Sequence, residues 1–260
     1  IPGLSFRLEG NYARGGPQST PDYVLGNTAS QQWNLRAAVQ YRTPNIRATI
    51  RYRHYDLRAG VFYGLQNATP AAFQAQLERG TPLSLELWRK DWSWGRPYQA
   101  VTHDQITGEF RARLGVAGSI EARYSFQQNH RREFEEVRRS VEGPQYDFLL
   151  RTHSLDIEWE QPVAPIGVAT GSGQVGVAGL FQEHVYQGLA LLPNHRSLGI
   201  GVFALERLTL PRGVLEAGAR YDHLRRSAFF SRNPYERHLA RGTLIAEDCI
   251  DGDGRTQCPS

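Results

Sequence analysis

Eight histidines are the side chains of this sequence best suited to holding a metal, because imidazole is the commonest protein ligand for transition metals. Five of them, His54, His130, His184, His195 and His223, fall near the ends of strand-like segments that border longer polar stretches. Their spacing matches no metal-binding motif. His54, His130, His195 and His223 stand as candidate ligand-binding residues, with interfacial or loop histidines as the plainer alternative. A second cluster is the tail run D-C-I-D-G-D-G-R-T-Q-C at 248–258. Asp248, Asp251 and Asp253, with Gly252 and Gly254 beside them, could wrap a Ca²⁺ ion with oxygen ligands. The EF-hand pattern fails because its glutamate is absent, and a polar loop closed by a Cys249–Cys258 disulfide is the alternative. Eight residues separate these two cysteines, a gap that a surface loop bridges readily. They are the only cysteines, which suits one disulfide in an oxidising compartment. No other cofactor is expected.

Catalytic chemistry finds no foothold. The sequence holds no G-x-S-x-G, no H-E-x-x-H, no P-loop and no dinucleotide fingerprint. The carboxylate pairs Glu133/Glu135 and Glu158/Glu160, the latter in phase with Asp156, are accounted for by a solvated wall. An enzyme is not expected.

The elements that position these residues announce themselves by a period of two. From Trp33 to Arg42, Trp33, Leu35, Ala37, Val39 and Tyr41 alternate with Asn34, Arg36, Ala38, Gln40 and Arg42. A strand with that pattern has one apolar and one polar face. The pattern recurs with Leu4, Phe6, Leu8 and Tyr12 against Ser5, Arg7, Glu9 and Asn11. It recurs at Ile46–Arg53, at Ser119–Gln127 and at Leu215–Asp222. Several runs exceed the usual soluble strand of about 5–6 residues and reach the roughly 9–11 that a tilted strand needs to cross a bilayer. Trp33, Leu35, Val39, Ile50, Tyr124 and Tyr221 are expected on a lipid-facing surface, and Arg36, Arg51, Glu121, Arg123 and Arg220 on the opposite one.

Composition agrees. Apolar residues make up 40% and mean hydropathy is −0.50, values that a barrel reaches by hiding its hydrophobicity in alternate positions. No run approaches 18 consecutive apolar residues, so no transmembrane helix is expected. The net charge is +4, but the arginines alternate with apolar residues instead of forming runs, so nucleic acid is not an expected partner. Lipid is.

Strands are expected at 4–14, 31–43, 45–57, 99–114, 118–131, 147–161, 173–185, 197–210 and 213–224. Tight turns are expected at Thr43-Pro44-Asn45, near 115–118 and near 211–213, with a longer Pro/Gly-rich turn at 162–173. The remaining connections, 15–30, 58–98, 132–146, 186–196 and the tail 225–260, are expected to be loops. Short turns on one side and long loops on the other are the signature of outer-membrane barrels. One short helix is expected over 70–79, with Thr69 as N-cap and Pro70 at its first position.

Several segments resemble one family when read in order. They are RPYQ at 96–99 with His103, NHRREFEEVR at 129–138, GPQYDFLLRT at 143–152 and SLDIEWEQP at 154–162. LLPNHRSLGIGVFALERL at 191–208 and LEAGARYDHL at 215–224 complete the series. Together they resemble the β-barrel of TonB-dependent outer-membrane receptors over nearly all of residues 40–224. The resemblance implies an all-β, antiparallel transmembrane barrel of 22 strands with an N-terminal plug, located in the outer membrane of a Gram-negative cell. About nine strands are read here, so the chain 1–260 is expected to be a partial barrel domain, a fragment lacking plug and C-terminal strands. The implied function is uptake of a scarce solute, such as a siderophore-like metal chelate, by TonB-coupled active transport. The implied partners are outer-membrane lipid, the chelate, and TonB acting through the plug. The alternatives are a passive porin-like or adhesion-type barrel and a soluble β-sandwich binding module.

Overall fold

A computed structural model describes residues 2–62, 69–82, 85, 89–90, 92–135, 143–188, 191–231, 250–252 and 255–258. The period-two segments fold as long strands: β1 Leu4–Gly15, β2 Ser30–Arg42, β3 Ile46–Gly60, β4 Tyr98–Arg113, β5 Ser119–Phe134 and β6 Tyr146–Glu160. After a three-residue strand, β7 Ala164–Ile166, come β8 Ala169–Gly188, β9 Asn194–Leu210 and β10 Gly213–Ser231. Two short strands, β11 Ile250–Gly252 and β12 Arg255–Cys258, close the described part. All belong to one antiparallel sheet in the order β1-β2-β3-β4-β5-β6-β8-β9-β10-β12-β11, with β7 beside β8. Among the described residues β1 pairs only with β2, so the sheet is open.

The register carries one apolar face across the whole sheet. Phe6 lies opposite Val39, Val39 opposite Ile50, and Ile50 opposite Gly108. Further along, Tyr124 pairs with Leu155, Ile157 with Val177, Val177 with Val202, and Val202 with Tyr221. These side chains are not buried in a core: Phe6 is 86% exposed, Ile50 62% and Tyr221 67%. A sandwich would bury such a face against a second sheet. Here one sheet presents it to the surroundings, which removes the sandwich alternative.

Turn chemistry sorts the connections. At the β2–β3 end, Thr43 Oγ1 accepts from the Ile46 N–H at 3.0 Å, closing a three-residue hairpin. Between β4 and β5 a 3₁₀ turn at Gly115–Ala117 ends on Gly118, whose φ is +88°. A Cβ there would stand 2.1 Å from the Glu160 carbonyl oxygen, so only glycine fits. Helix α1, Pro70–Arg79, sits in the β3–β4 connection with Thr69 Oγ1 accepting from the Ala72 N–H and Gly80 as its left-handed C-cap.

Three expectations need correction. The tail 225–260 is not all loop, because β10 continues to Ser231 and β11 and β12 pair within it. The 162–173 turn contains the β7 strand and the start of β8. The 186–196 loop is shorter than expected, because β8 runs to Gly188 and β9 begins at Asn194, with His184 paired to His195.

Candidate functional site

The sheet offers two kinds of chemistry, one on each side of its long axis. On the polar face a chain of ion pairs crosses four strands. Arg51 contacts Glu109 at 2.7 Å, and Glu109 contacts Arg123 at 3.5 Å. Arg123 reaches Glu121 at 3.6 Å, Glu121 reaches Arg111 at 3.8 Å, and Arg111 reaches Glu160 at 2.8 Å. Ser119 Oγ donates to the same Glu160 carboxylate at 2.9 Å. Glu109 lies directly opposite Arg123, and Glu121 directly opposite Arg111, the arrangement that stabilises sheet pairs. Individually such half-exposed pairs contribute about 0–1 kcal/mol. Their joint effect is to fix a charged wall.

At the end carrying the long connections, polar side chains tie the loops together. Asn27, held at φ +60°, donates through Nδ2 to the carbonyls of Val61 at 2.9 Å and Pro97 at 2.7 Å, while its Oδ1 accepts from the Gly95 N–H at 2.7 Å. It thereby joins the β1–β2 and β3–β4 connections. Arg96 donates to the Gly143 carbonyl at 3.1 Å and lies over the Phe134 ring at 5.4 Å, joining β3–β4 to β5–β6. Buried Gln145 accepts from the Glu135 N–H at 2.6 Å. Arg14 adds a hydrogen bond to the Trp92 carbonyl at 2.9 Å and stacks on that indole. The result is a rim in which arginine, tryptophan and amide groups tie the connections to one another.

The candidate histidines do not converge. His54 lies on the apolar face, one pair beyond Tyr52, where its Nδ1 meets Asp104 Oδ1 at 2.7 Å and its ring packs on Trp33 at 4.2 Å. Tyr52 donates to the same Asp104 oxygen at 2.6 Å. His130 is on that face too, with its Nε2 2.7 Å from Asp147 Oδ1. His223 is exposed on the apolar face opposite Ile200. His195 alone of the four points to the polar face, and its ring stacks on His184 at 5.2 Å. His184 Nδ1 is 3.2 Å from the Pro193 carbonyl and His195 Nε2 is 3.4 Å from Gln182 Oε1. No group of three or more metal-binding side chains forms among the described residues. The side chains of Asp248, Asp251, Asp253, Cys249 and Cys258 lie outside the described residues.

The face of each histidine was already encoded. Counting by twos from Ile46 reaches His54, and from Ile120 reaches His130. The stitching residues Asn27 and Arg96 carried a weaker signal. Asn27 sits in a Gly-Asn-Thr run, and asparagine is among the few residues that tolerate positive φ, but its partners lie 34 and 70 residues away.

No family model matches the chain, and no curated protein matches it. Solved structures do. The chain is similar to the ferric citrate transporter FecA in its unliganded form, at 12% identity and a TM-score of 0.54, over 87% of this chain and 33% of that one. It is also similar to the open form of the ferric-catecholate import receptor Fiu from E. coli K12, at 11% identity and a TM-score of 0.64, over 89% of this chain and 42% of that one. The chain thus spans well under half the length of either protein. Two-faced strands in one antiparallel sheet, sorted connections and these likenesses together give the chain a TonB-dependent receptor barrel-like fold, open where the described strands end.

Proposed function

We propose that this chain forms part of the wall of an outer-membrane receptor that takes up a scarce solute, a metal chelate of the siderophore kind, by TonB-coupled active transport. One observation carries the reading: a single sheet of strands up to 20 residues long, apolar and exposed on one face and ion-paired on the other, in the fold seen in two iron-chelate import proteins. The apolar face meets outer-membrane lipid. The rim built on Asn27, Arg96 and Gln145 positions the loops that receive the solute, and His195 with His184 is the histidine pair placed to face it. The residues Asp248, Asp251 and Asp253 keep their role as a proposed Ca²⁺ loop, with the Cys249–Cys258 disulfide as its alternative. The wall performs no bond chemistry.

The test is uptake of radio-iron chelates by cells that carry the full-length protein, with and without collapse of the inner-membrane proton gradient. Saturable uptake that stops with the gradient supports the proposal. Uptake that persists without the gradient and falls only with solute size points to the passive porin-like barrel.

A further inference from the structure

The short-turn end of the polar face carries a charge that the rest of the wall does not neutralise. Arg42 ends β2, Arg47 lies directly opposite it on β3, and Arg111 lies directly opposite Arg47 on β4. Arg113 follows two residues on, along the same face. Arginines set directly across a strand pair repel one another and destabilise the sheet. Here two such pairs share Arg47, so three guanidinium groups sit in one row.

Acidic neighbours offset only the Arg111 end of the row. Arg111 is held by Glu160 and Glu121. Among the described residues, no carboxylate pairs with Arg42, Arg47 or Arg113. The four arginines line a cavity of about 570 Å³ together with the Thr43-Pro44-Asn45 turn. That volume falls within the range of small-molecule sites, about 300–1,000 Å³. The turn is rigid, because Thr43 is bonded to Ile46 through both backbone and side chain and the Asn45 carbonyl accepts from the Arg113 N–H at 2.8 Å.

From this we infer a binding site for a small multivalent oxyanion, a molecule with two or more phosphate or carboxylate groups. Guanidinium presents a planar fork that matches both groups in bidentate fashion. Valency follows from spacing. Adjacent strands are about 4.8 Å apart, so the row Arg42–Arg47–Arg111 spans about 10 Å. A single acetate-sized anion screens one repulsive pair, whereas an anion with separated charged groups bridges both. All four arginines belong to the polar face, away from the side the apolar residues would give to lipid, so the ligand is a free solute and not a lipid headgroup. The site stands on this geometry and not on the transport reading, and either can fail alone.

The experiment is calorimetric titration of the full-length protein, extracted in detergent, with pyrophosphate, tricarballylate and acetate at fixed ionic strength. Pyrophosphate or tricarballylate should bind saturably and one-to-one, at least tenfold more tightly than acetate. The tighter of the two assigns phosphate or carboxylate chemistry. The double variant Arg42→Gln/Arg47→Gln should weaken that binding at least tenfold, and Arg113→Gln alone should weaken it severalfold. Arg212→Gln, a lone arginine at another short turn, should leave it unchanged. Circular dichroism of each variant confirms the strand content. Absence of saturable binding to the unaltered protein overturns the site. So does an equal loss in Arg212→Gln, which would mark diffuse charge attraction.

Discussion

Strands β1–β4 and strands β5–β10 share one apolar face but carry opposite solutions on the other. On the polar face of β1–β4, Arg7, Arg36, Arg42, Arg47, Arg51, Arg53, Arg111 and Arg113 share their strands with just two carboxylates, Glu9 and Glu109, and Arg111 alone reaches acids of β5 and β6, Glu121 and Glu160. On β5–β10, Arg123, Arg131, Arg207, Arg220 and Arg226 meet Glu121, Glu133, Asp156, Glu158, Glu160, Glu216 and Asp222. In the second region arginine and acid sit near one another, as in Arg207 with Glu216 at 3.3 Å and Arg220 with Asp222 at 2.7 Å. In the first, arginine faces arginine at Arg36/Arg53, Arg42/Arg47 and Arg47/Arg111. The comparison teaches that binary patterning and charge pairing are separate constraints. The first makes the wall. The second decides whether a stretch of wall is self-neutralised or left with a field for an outside anion.

The apolar face is common to both regions, so breaking it should have the largest effect, and the same effect on each side. Val39→Arg in the basic region and Val202→Arg in the mixed region each place a charge among apolar neighbours. Each should cost about 2–4 kcal/mol if the position lies at the bilayer midplane. Urea titration of the full-length protein folded into lipid vesicles measures it. Arg36→Ala, on the opposite face, should stay within about 0.5 kcal/mol. If Val39→Arg were as harmless as Arg36→Ala, the assignment of faces would be wrong.

Glu109 is where the two regions join, since it contacts Arg51 on one side and Arg123 on the other. Glu109→Gln removes a carboxylate from between two guanidinium groups and lets them repel. The expected loss is about 0.5–1 kcal/mol, at the upper end for half-exposed pairs because two contacts go at once. Glu216→Gln breaks a single pair that is more than half exposed at each partner and should change stability by less than about 0.5 kcal/mol. The same vesicle titration ranks them, and equal losses would deny Glu109 its bridging role.

Much of this contrast is legible in the sequence, and the illegible part has a physical cause. The alternation of Trp33–Arg42 or Leu215–Asp222 states directly which residues share a face, because the strand period is fixed at two. The helix at 70–79 was legible from Thr69 and Pro70, whose capping chemistry is local. The β8 start at Ala169 was not. Thr170–Gly173 has no apolar alternation, and its strand conformation comes from pairing with Thr209 to Glu206 on β9. Nor was the Arg42–Arg47–Arg111 row. Composition shows many arginines, but which of them stand opposite one another depends on register, and register is set by turn lengths and by neighbours far along the chain. The loop stitching by Asn27 and Arg96 is long-range in the same sense. The places of the histidines along their strands are less legible: β10 runs on to Ser231, so His223 lies mid-strand and not at an end, and no local signal shows that Asp104 and Asp147 take up His54 and His130.

An effect of similar size is the most discriminating, because its sign differs between the regions. Arg47→Glu replaces the middle of the arginine row with a carboxylate directly opposite both Arg42 and Arg111. Two repulsive cross-strand pairs become two attractive ones, and the protein should gain about 0.2–1 kcal/mol. Arg123→Glu makes the reverse change in the mixed region, setting a carboxylate beside Glu109, Glu121 and Asp156, and should lose a similar amount. These are surface electrostatic effects, so raising ionic strength from about 0.01 to 0.15 M, which shortens the Debye length from about 30 to 8 Å, should shrink the gain and the loss together. Urea midpoints at the two salt concentrations read both changes. A gain in Arg47→Glu accompanied by loss of pyrophosphate or tricarballylate binding would show that the row is kept against the interest of stability, for the anion it holds. A loss of stability in Arg47→Glu that matches Arg123→Glu in sign would mean that the arginine row is already neutralised within the full-length protein, and the contrast between the two regions would vanish.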